Sequence, residues 1–428
     1  MNIQAAIDQA SGQTTIKGWV YRERGNNKLR FLILRDADNI IQCVVKQSVV
    51  GEELFEQAKE LKVEASVKIT GELQADERAP TGVELQVTNL ELIGESVDFP
   101  ITEDYSTEHL LDNRHLWLRS RKMTAAMKIR STCFQAFREY FNNQGFYEFH
   151  SPIFQATQAE GGSELFAVKY FDNEVYLSQT WQLYAEAGIF GLENIYTIAP
   201  TFRAENSKTS RHLTEFWMAE MEMAFCTFND LQDHAEAVIK AMLQAVLTTN
   251  QQELTVLERN TNDLEVAASK DYPRITYDQA LKLLKENCSM DVEWGKDLRT
   301  LEEDALSELY DTPVIVTEYP TEVKAFYMKE VPGKPEVVQG YDVIGPQGYG
   351  ELIGGSQREE DLEKIKQRLE AQGEDPEEYS YYLDTRRYGS VPHGGFGVGM
   401  ERVIAWICGL DSVKDAIAFP RTPTRHKP

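Results

Sequence analysis

The sequence predicts an α+β protein in two parts: a small N-terminal β-barrel, then a larger domain whose mostly antiparallel sheet is flanked by helices. Two observations carry this. Residues 1–98 alternate short apolar runs with turn residues and contain one helical segment. Beyond residue 114, strand-rich segments lead through amphipathic helices into a last apolar helix behind a glycine stretch. A length of 428 residues also suggests more than one domain, because single hydrophobic cores stop growing at about 250–300 residues.

In the N-terminal part the expected strands are 15–21, 29–35, 40–46, 63–71 and 83–93, with a helix at 52–62 between the third and fourth. Five strands with a helix after the third suggest a Greek-key barrel of the OB type. Phe99-Pro100 is a plausible boundary, so residues 1–98 are read as the barrel, 99–122 as a linker or hinge and 123–428 as the large domain. In the large domain, 123–143 is helical and ends at Gly145, and 146–152 reads as a strand entering the core. Strands are expected at 165–170, 174–178, 194–203 and 214–225. Leu231, Ala235, Val238, Met242 and Val246 mark a helix behind Asn229 as a possible N-cap. Residues 250–310 read as mostly helical. Further strands are expected at 314–317, 324–328, 337–344 and 350–353, a solvated acidic helix within 359–378, and the apolar helix at 402–408.

The chain carries 44 Lys and Arg against 69 Asp and Glu, a formal charge of −25. That excludes indiscriminate attraction to nucleic acid, but not a specific nucleic-acid surface. Residues 21–35 hold Arg22, Arg24, Lys28, Arg30 and Arg35 against Glu23 alone, and residues 114–130 hold six bases and no acid. The five cysteines are odd in number and widely spaced, which argues against a disulfide framework and a Cys-based zinc site and fits a cytoplasmic setting. No apolar run approaches the ~20 residues of a membrane helix, and no signal peptide is visible at the start.

The chemistry concentrates in two short motifs. Phe202-Arg203-Ala204-Glu205 lies near the middle, and Gly395-Phe396-Gly397-Val398-Gly399-Met400-Glu401-Arg402 nearly two hundred residues later. Each alone is weak, since an Arg–Glu pair is common on surfaces and a Gly-x-Gly common in turns. Neither GxxxxGK[ST] nor Gly-x-Gly-x-x-Gly is present, so no P-loop or dinucleotide site competes. Together, in this order and with Pro152 behind a long helix upstream, the motifs resemble the three signatures of class II aminoacyl-tRNA synthetases. The run Pro200–Trp217 places the resemblance in the aspartyl/asparaginyl/lysyl subgroup, on the asparaginyl side, and it extends over essentially the whole chain to Phe419-Pro420-Arg421.

The resemblance implies an ATP-dependent ligase that activates L-asparagine and transfers it to tRNA(Asn), with Mg²⁺ as cofactor and a twofold homodimer as the assembly. A bent triphosphate needs guanidinium groups on both sides. Arg203 would contact the α-phosphate, and Arg402 would reach the γ-phosphate and stack on adenine. These two are the expected catalytic residues. Glu205, Arg211, His212, Leu213, Phe216, Glu351, Gly397 and Gly399 would complete the ATP site, with adenine on Phe216. Glu351 matches the family's magnesium ligand, and Asp342 is a second candidate. A serine that follows this glutamate by three positions in archaeal aspartyl relatives is Gly354 here, so no serine ligand is expected. Glu160 and Gln182 would grip the α-ammonium, with Ser178 as a helper.

Two positions bear on the substrate side chain. Aspartyl enzymes place a Lys where this chain has Ala185 and an Asp where it has Glu220. Glu220 can accept from a carboxamide NH₂, and Arg358 can donate to its oxygen, a pattern that suits asparagine and repels aspartate. In the barrel, Phe31 and Gln42 stand where the subgroup reads the central anticodon base. The alternatives are a non-discriminating aspartyl enzyme, disfavoured by Ala185 and Glu220, an asparagine synthetase paralogue, whose members lack the barrel, and a catalytically dead RNA-binding relative.

Overall fold

The computed structural model describes residues 1–101, 105–159, 165–206 and 209–428, which fall into two compact units, Met1–Leu116 and Trp117–Pro428. The division lies within residues 99–122.

The first unit is a closed barrel of five strands, β1 (Gly12–Gly25), β2 (Leu29–Arg35), β3 (Ile40–Lys46), β4 (Ser66–Ala75) and β5 (Val83–Gly94), in the order β1-β2-β3-β5-β4. Alternation places Ile16 and Val20 of β1, Leu32 and Leu34 of β2, and Ile41, Cys43 and Val45 of β3 in one fully buried cluster. The helix Glu52–Glu60 closes one side with Phe55 and Ala58. A helix at Ile3–Gln9, not expected from the sequence, is capped by Asn2, whose side chain accepts from Ala5 N.

The second unit contains β6 (Tyr147–Glu148), a small sheet of β7 (Phe154–Gln155), β8 (Ala167–Tyr170) and β9 (Asn173–Leu177), then β10 (Asn194–Phe202), β11 (Glu215–Ala224), β12 (Arg274–Thr276) and β13 (Val314–Thr317). A hairpin of β14 (Glu330–Val331) and β15 (Lys334–Val338) follows, and then β16 (Gly340–Gly345), β17 (Gly350–Gln357) and β18 (His393–Gly399). Eight of these strands form one sheet in the order β12-β13-β16-β17-β18-β11-β10-β6. It is antiparallel except for its outermost pairs, β12 with β13 and β10 with β6. Helices Arg121–Asn143, Phe228–Thr249 and Met400–Cys408 contribute Phe137, Phe141, Val238, Met242 and Trp406 to the main core.

Several expectations are corrected. The helix expected behind Asn229 begins at Phe228, and its cap is Thr227: Thr227 N donates to Asp230 Oδ2 at 2.7 Å, while Thr227 Oγ1 accepts from Asp230 N. Residues 324–328 form no strand. Arg368 gathers the carbonyls of Thr321, Ala325 and Met328, so these groups find a guanidinium rather than a sheet partner. Only Tyr147–Glu148 of the 146–152 segment is strand, and it is an exposed edge. The run 337–344 is split at Gln339 between the hairpin and the main sheet, and its side chain donates to Glu330 O. The glycine stretch before the last helix is itself β18. A Cβ on Gly395 would lie 2.1 Å from the Met221 carbonyl oxygen, so this close strand contact admits only glycine.

Candidate active site

One face of the large sheet opens into a cleft with two adjoining lobes, of about 520 and 220 Å³. Period-two alternation builds its wall: along β11, Phe216, Met218, Glu220 and Glu222 follow one another into it. Arg203, Met218, Glu351 and Gly397 border both lobes.

The smaller lobe is lined by Arg203, Glu205, Arg211, His212, Leu213, Phe216, Glu351, Gly397, Gly399 and Arg402, the ten positions expected at ATP. The Arg203 guanidinium carbon stands 5.5 Å from the centre of the Phe216 ring, which also packs against the main core. Arg402, in the first turn of the last helix, donates from Nη1 to the Glu351 carbonyl oxygen at 2.5 Å. Burial and then the charge of Arg402 hold His212 below the usual histidine range, with Arg203 and Arg211 adding to this against Glu205. An arginine-rich wall that suppresses a histidine charge is a wall suited to an anion.

The helix Thr300–Ser307 supplies two carboxylates that sequence reasoning missed. Asp304 accepts two bonds from Arg211 Nη2, at 2.8 and 2.9 Å. Glu303 is pushed up to about 8 by burial and by the charges of Glu351 and Asp342, against the pull of Arg402 and Arg211. No motif marks this helix, because it reaches the cleft only through the tertiary fold.

Glu351 and Asp342 meet beside Gly354. A Cβ built there would lie 2.7 Å from Glu351 Oε1 and 3.6 Å from Asp342 Oδ1, so a side chain would fill the gap between the two carboxylates. Burial and Asp342 raise Glu351 above its ordinary value, although Arg402, Lys324 and Arg203 oppose this. Two carboxylates of this kind fit a hard divalent cation. Lys324 Nζ lies 2.9 Å from Asp342 Oδ2 and provides a local counter-charge.

The larger lobe is lined by Gln182, Glu220, Glu222 and Arg358. Glu220 takes a hydrogen bond from Thr180 Oγ1 and one from Trp181 N at 3.1 Å. Arg358 forks onto Glu222 with bonds of 3.0 and 2.8 Å and donates from Nη1 to Ser356 Oγ at 2.7 Å. Glu222, its principal partner, was not expected. Ala185 is buried in an apolar cluster with Trp181 and Ile189. Ser178 does not line the cleft: its hydroxyl donates to Thr180 O and accepts from Gln155 Nε2, which turns it into the protein. Glu160 lies outside the described residues.

On the barrel, Phe31 is half-buried on the outer face of β2, while Leu32 and Leu34 fill the interior. Arg24 lies over its ring at 5.3 Å. Gln42 is buried on β3, and its amide is oriented by Glu84, whose Oε2 accepts from Nε2 at 3.0 Å.

Residues 106–423 match the family described as tRNA synthetases class II (D, K and N). The chain belongs to this family. Residues 14–93 of the synthetase match the OB-fold nucleic acid binding domain. It is similar along its full length to a structure of asparaginyl-tRNA synthetase from Pyrococcus horikoshii complexed with asparaginyl-adenylate. The identity is 45% and the TM-score 0.96, covering 100% of this chain and 99% of that one. An asparaginyl-tRNA synthetase from Entamoeba histolytica, also in complex with asparaginyl-adenylate, is 32% identical, with coverage of 97% and 96% and a TM-score of 0.88. An aspartyl tRNA synthetase from the same organism is 26% identical, with coverage of 100% and 92% and a TM-score of 0.87.

Proposed function

We propose that this synthetase activates L-asparagine with ATP, giving asparaginyl-adenylate and pyrophosphate, and transfers the asparaginyl group to the 3′ end of tRNA(Asn). The observation that carries the reading is the larger lobe. It offers a glutamate acceptor, Glu220, and a guanidinium donor, Arg358, while Ala185, where aspartyl relatives carry a Lys, is buried in an apolar cluster and brings no charge. A carboxamide brings one acceptor and one donor pair to such a site, whereas a carboxylate brings a charge that Glu220 repels.

The chemistry needs no protein nucleophile. A carboxylate oxygen of asparagine attacks the α-phosphorus, and the bond to the bridging oxygen of pyrophosphate breaks in line. Arg203, at the junction of the lobes, stabilises charge on the α-phosphate, and Arg402 and His212 face the outer phosphates from the smaller lobe. Mg²⁺, held by Glu351 with Asp342, would add positive charge to the phosphate oxygens. The terminal hydroxyl of tRNA then attacks the asparaginyl carbonyl, and AMP leaves. Gln182 holds the α-ammonium. Glu160 is proposed for the same group on the family resemblance.

The barrel reads the anticodon with Phe31 as a stacking platform and Gln42 at the base edge. Stacking on such a platform contributes about 1–3 kcal/mol per base. Phe31→Ala is therefore expected to raise KM for tRNA by roughly tenfold or more and leave ATP–pyrophosphate exchange unchanged. Loss of both activities would assign the ring to folding. The exposed edge strand β6 beside the helix Arg121–Asn143 suits pairing with a second copy, and we read the synthetase as a homodimer. Gel filtration at the monomer mass would contradict this. The five free thiols suit a reducing cytoplasm, where we place the enzyme, and among the described residues no helix is long and apolar enough to cross a membrane.

The test is charging of a tRNA(Asn) transcript with labelled asparagine. Ester formation at the 3′ end supports the reading, and a chain that makes adenylate but charges no tRNA would contradict its second step.

A further inference from the structure

Beneath the floor of the larger lobe lies a buried polar layer that no step above uses. Glu186, on the helix Gln182–Leu192, and His393, the first residue of β18, are fully shielded from solvent. Arg386 and Tyr382, on the helix Ser380–Arg387, complete the layer. Glu186 Oε2 accepts from Tyr382 Oη at 2.9 Å and from Arg386 Nη2 at 2.5 Å, and lies 3.0 Å from His393 Nε2. Its Oε1 accepts from Gln182 Nε2 at 2.9 Å.

The second ring nitrogen of His393, Nδ1, lies 2.7 Å from the carbonyl oxygen of Val391. A carbonyl and an ionised carboxylate accept hydrogen bonds and bring no hydrogen. Burial alone would raise Glu186, but the Arg386 guanidinium and the Tyr382 hydroxyl both donate to Oε2, and the charge of Arg386 beside it favours the ionised carboxylate. A neutral imidazole has a single N–H, so either tautomer sets a lone pair against one of the two acceptors. Only the imidazolium donates at both ends. Around this pair stand Glu222, whose ligand atom lies within 4.8 Å of those of Glu186 and His393, the guanidinium groups of Arg386 and Arg358, each paired with Glu186, and Phe190, whose ring centre lies 6.4 Å from that of the imidazole.

The layer has a consequence for Arg358. Its Nε lies 3.0 Å from Glu222 Oε1 but only 3.8 Å from Glu186 Oε1, so two buried carboxylates stand within reach of one guanidinium. With His393 charged, three carboxylates, Glu186, Glu220 and Glu222, are balanced by three cations, Arg358, Arg386 and His393. A neutral floor suits a neutral carboxamide. We propose that His393 is held as the imidazolium and is a positioning residue of the amino-acid pocket: with Arg386 and Tyr382 it saturates Glu186, which leaves Arg358 to Glu222 and the substrate and fixes Gln182. This rests on the reading of the lobe as an asparagine site.

Two measurements test it. The first is ¹⁵N NMR of the full-length protein labelled at histidine, with the His393 signals assigned by their loss in His393→Gln. Protons on both ring nitrogens at neutral pH are expected, and a single N–H overturns the proposal; if His393→Gln does not fold, the ring is identified as the one fully buried histidine among the described residues, whose N–H exchange is slowest. The second is ATP–pyrophosphate exchange by His393→Gln, which keeps a donor but loses the charge. KM for asparagine should rise about tenfold or more, because one amide cannot donate to both Glu186 and the Val391 carbonyl and a buried acceptor is left unpaired, with KM for ATP unchanged. An unchanged asparagine KM, or an equal rise for both substrates, overturns it. If the wild-type protein shows no exchange with asparagine, the asparagine reading fails, while the ring protonation stands or falls on the NMR alone.

Discussion

Replacing Arg203 by alanine is expected to lower kcat for asparagine-dependent ATP–pyrophosphate exchange by about 10²- to 10³-fold, with a much smaller change in KM for asparagine. Arg203 borders both lobes, and on the proposed reading that junction is where the α-phosphate is attacked. A preorganised cation there acts mainly on charge that develops as the phosphorus is attacked, so its loss falls on kcat. Arg203→Lys should recover only part of the rate, because a point charge lacks the planar fork of donors. A loss within tenfold for the alanine variant would show that the α-phosphate is held by other groups.

The second large effect is expected at Arg358. It forks onto Glu222 in the buried floor of the larger lobe, and removing it strands a carboxylate away from water. Breaking one partner of a buried pair costs about 3–5 kcal/mol. Arg358→Ala should therefore lower the unfolding midpoint and abolish asparagine-dependent exchange together. The double variant Arg358→Ala, Glu222→Gln separates the two roles. The neutral amide relieves the stranded charge, so stability should return in large part while exchange stays lost. Recovery of exchange in the double variant would show that Arg358 serves folding alone.

The sequence carried much of the fold and of the nucleotide lobe. β2, β3 and β13 were legible residue for residue because apolar runs are bounded by turn residues or breaks, and the ten residues expected at ATP, nine of them within 203–216 and 397–402, line one lobe of the cleft. The substrate floor was less legible for a physical reason. Glu222 and Arg358 are 136 residues apart, and Glu186 and His393 are 207 apart. No local periodicity announces such pairs, and only β11, the end of β17, β18 and the helix Gln182–Leu192 packed together create them. Ser178 misled because its position in the chain is right while its hydroxyl is engaged by Thr180 and Gln155. The 324–328 segment misled because its apolar pattern is strand-like, but Arg368 satisfies its carbonyls. Lys324, placed by that turn, is the cation beside Asp342.

On the proposed reading the larger lobe selects a carboxamide over a carboxylate. ATP–pyrophosphate exchange measured with asparagine and with aspartate under identical conditions, as a ratio of kcat/KM, reads that selection out. Polar complementarity of this kind predicts a preference for asparagine of about 10⁴-fold or more. Comparable exchange with aspartate would contradict the account of Glu220, Arg358 and Ala185 as its basis.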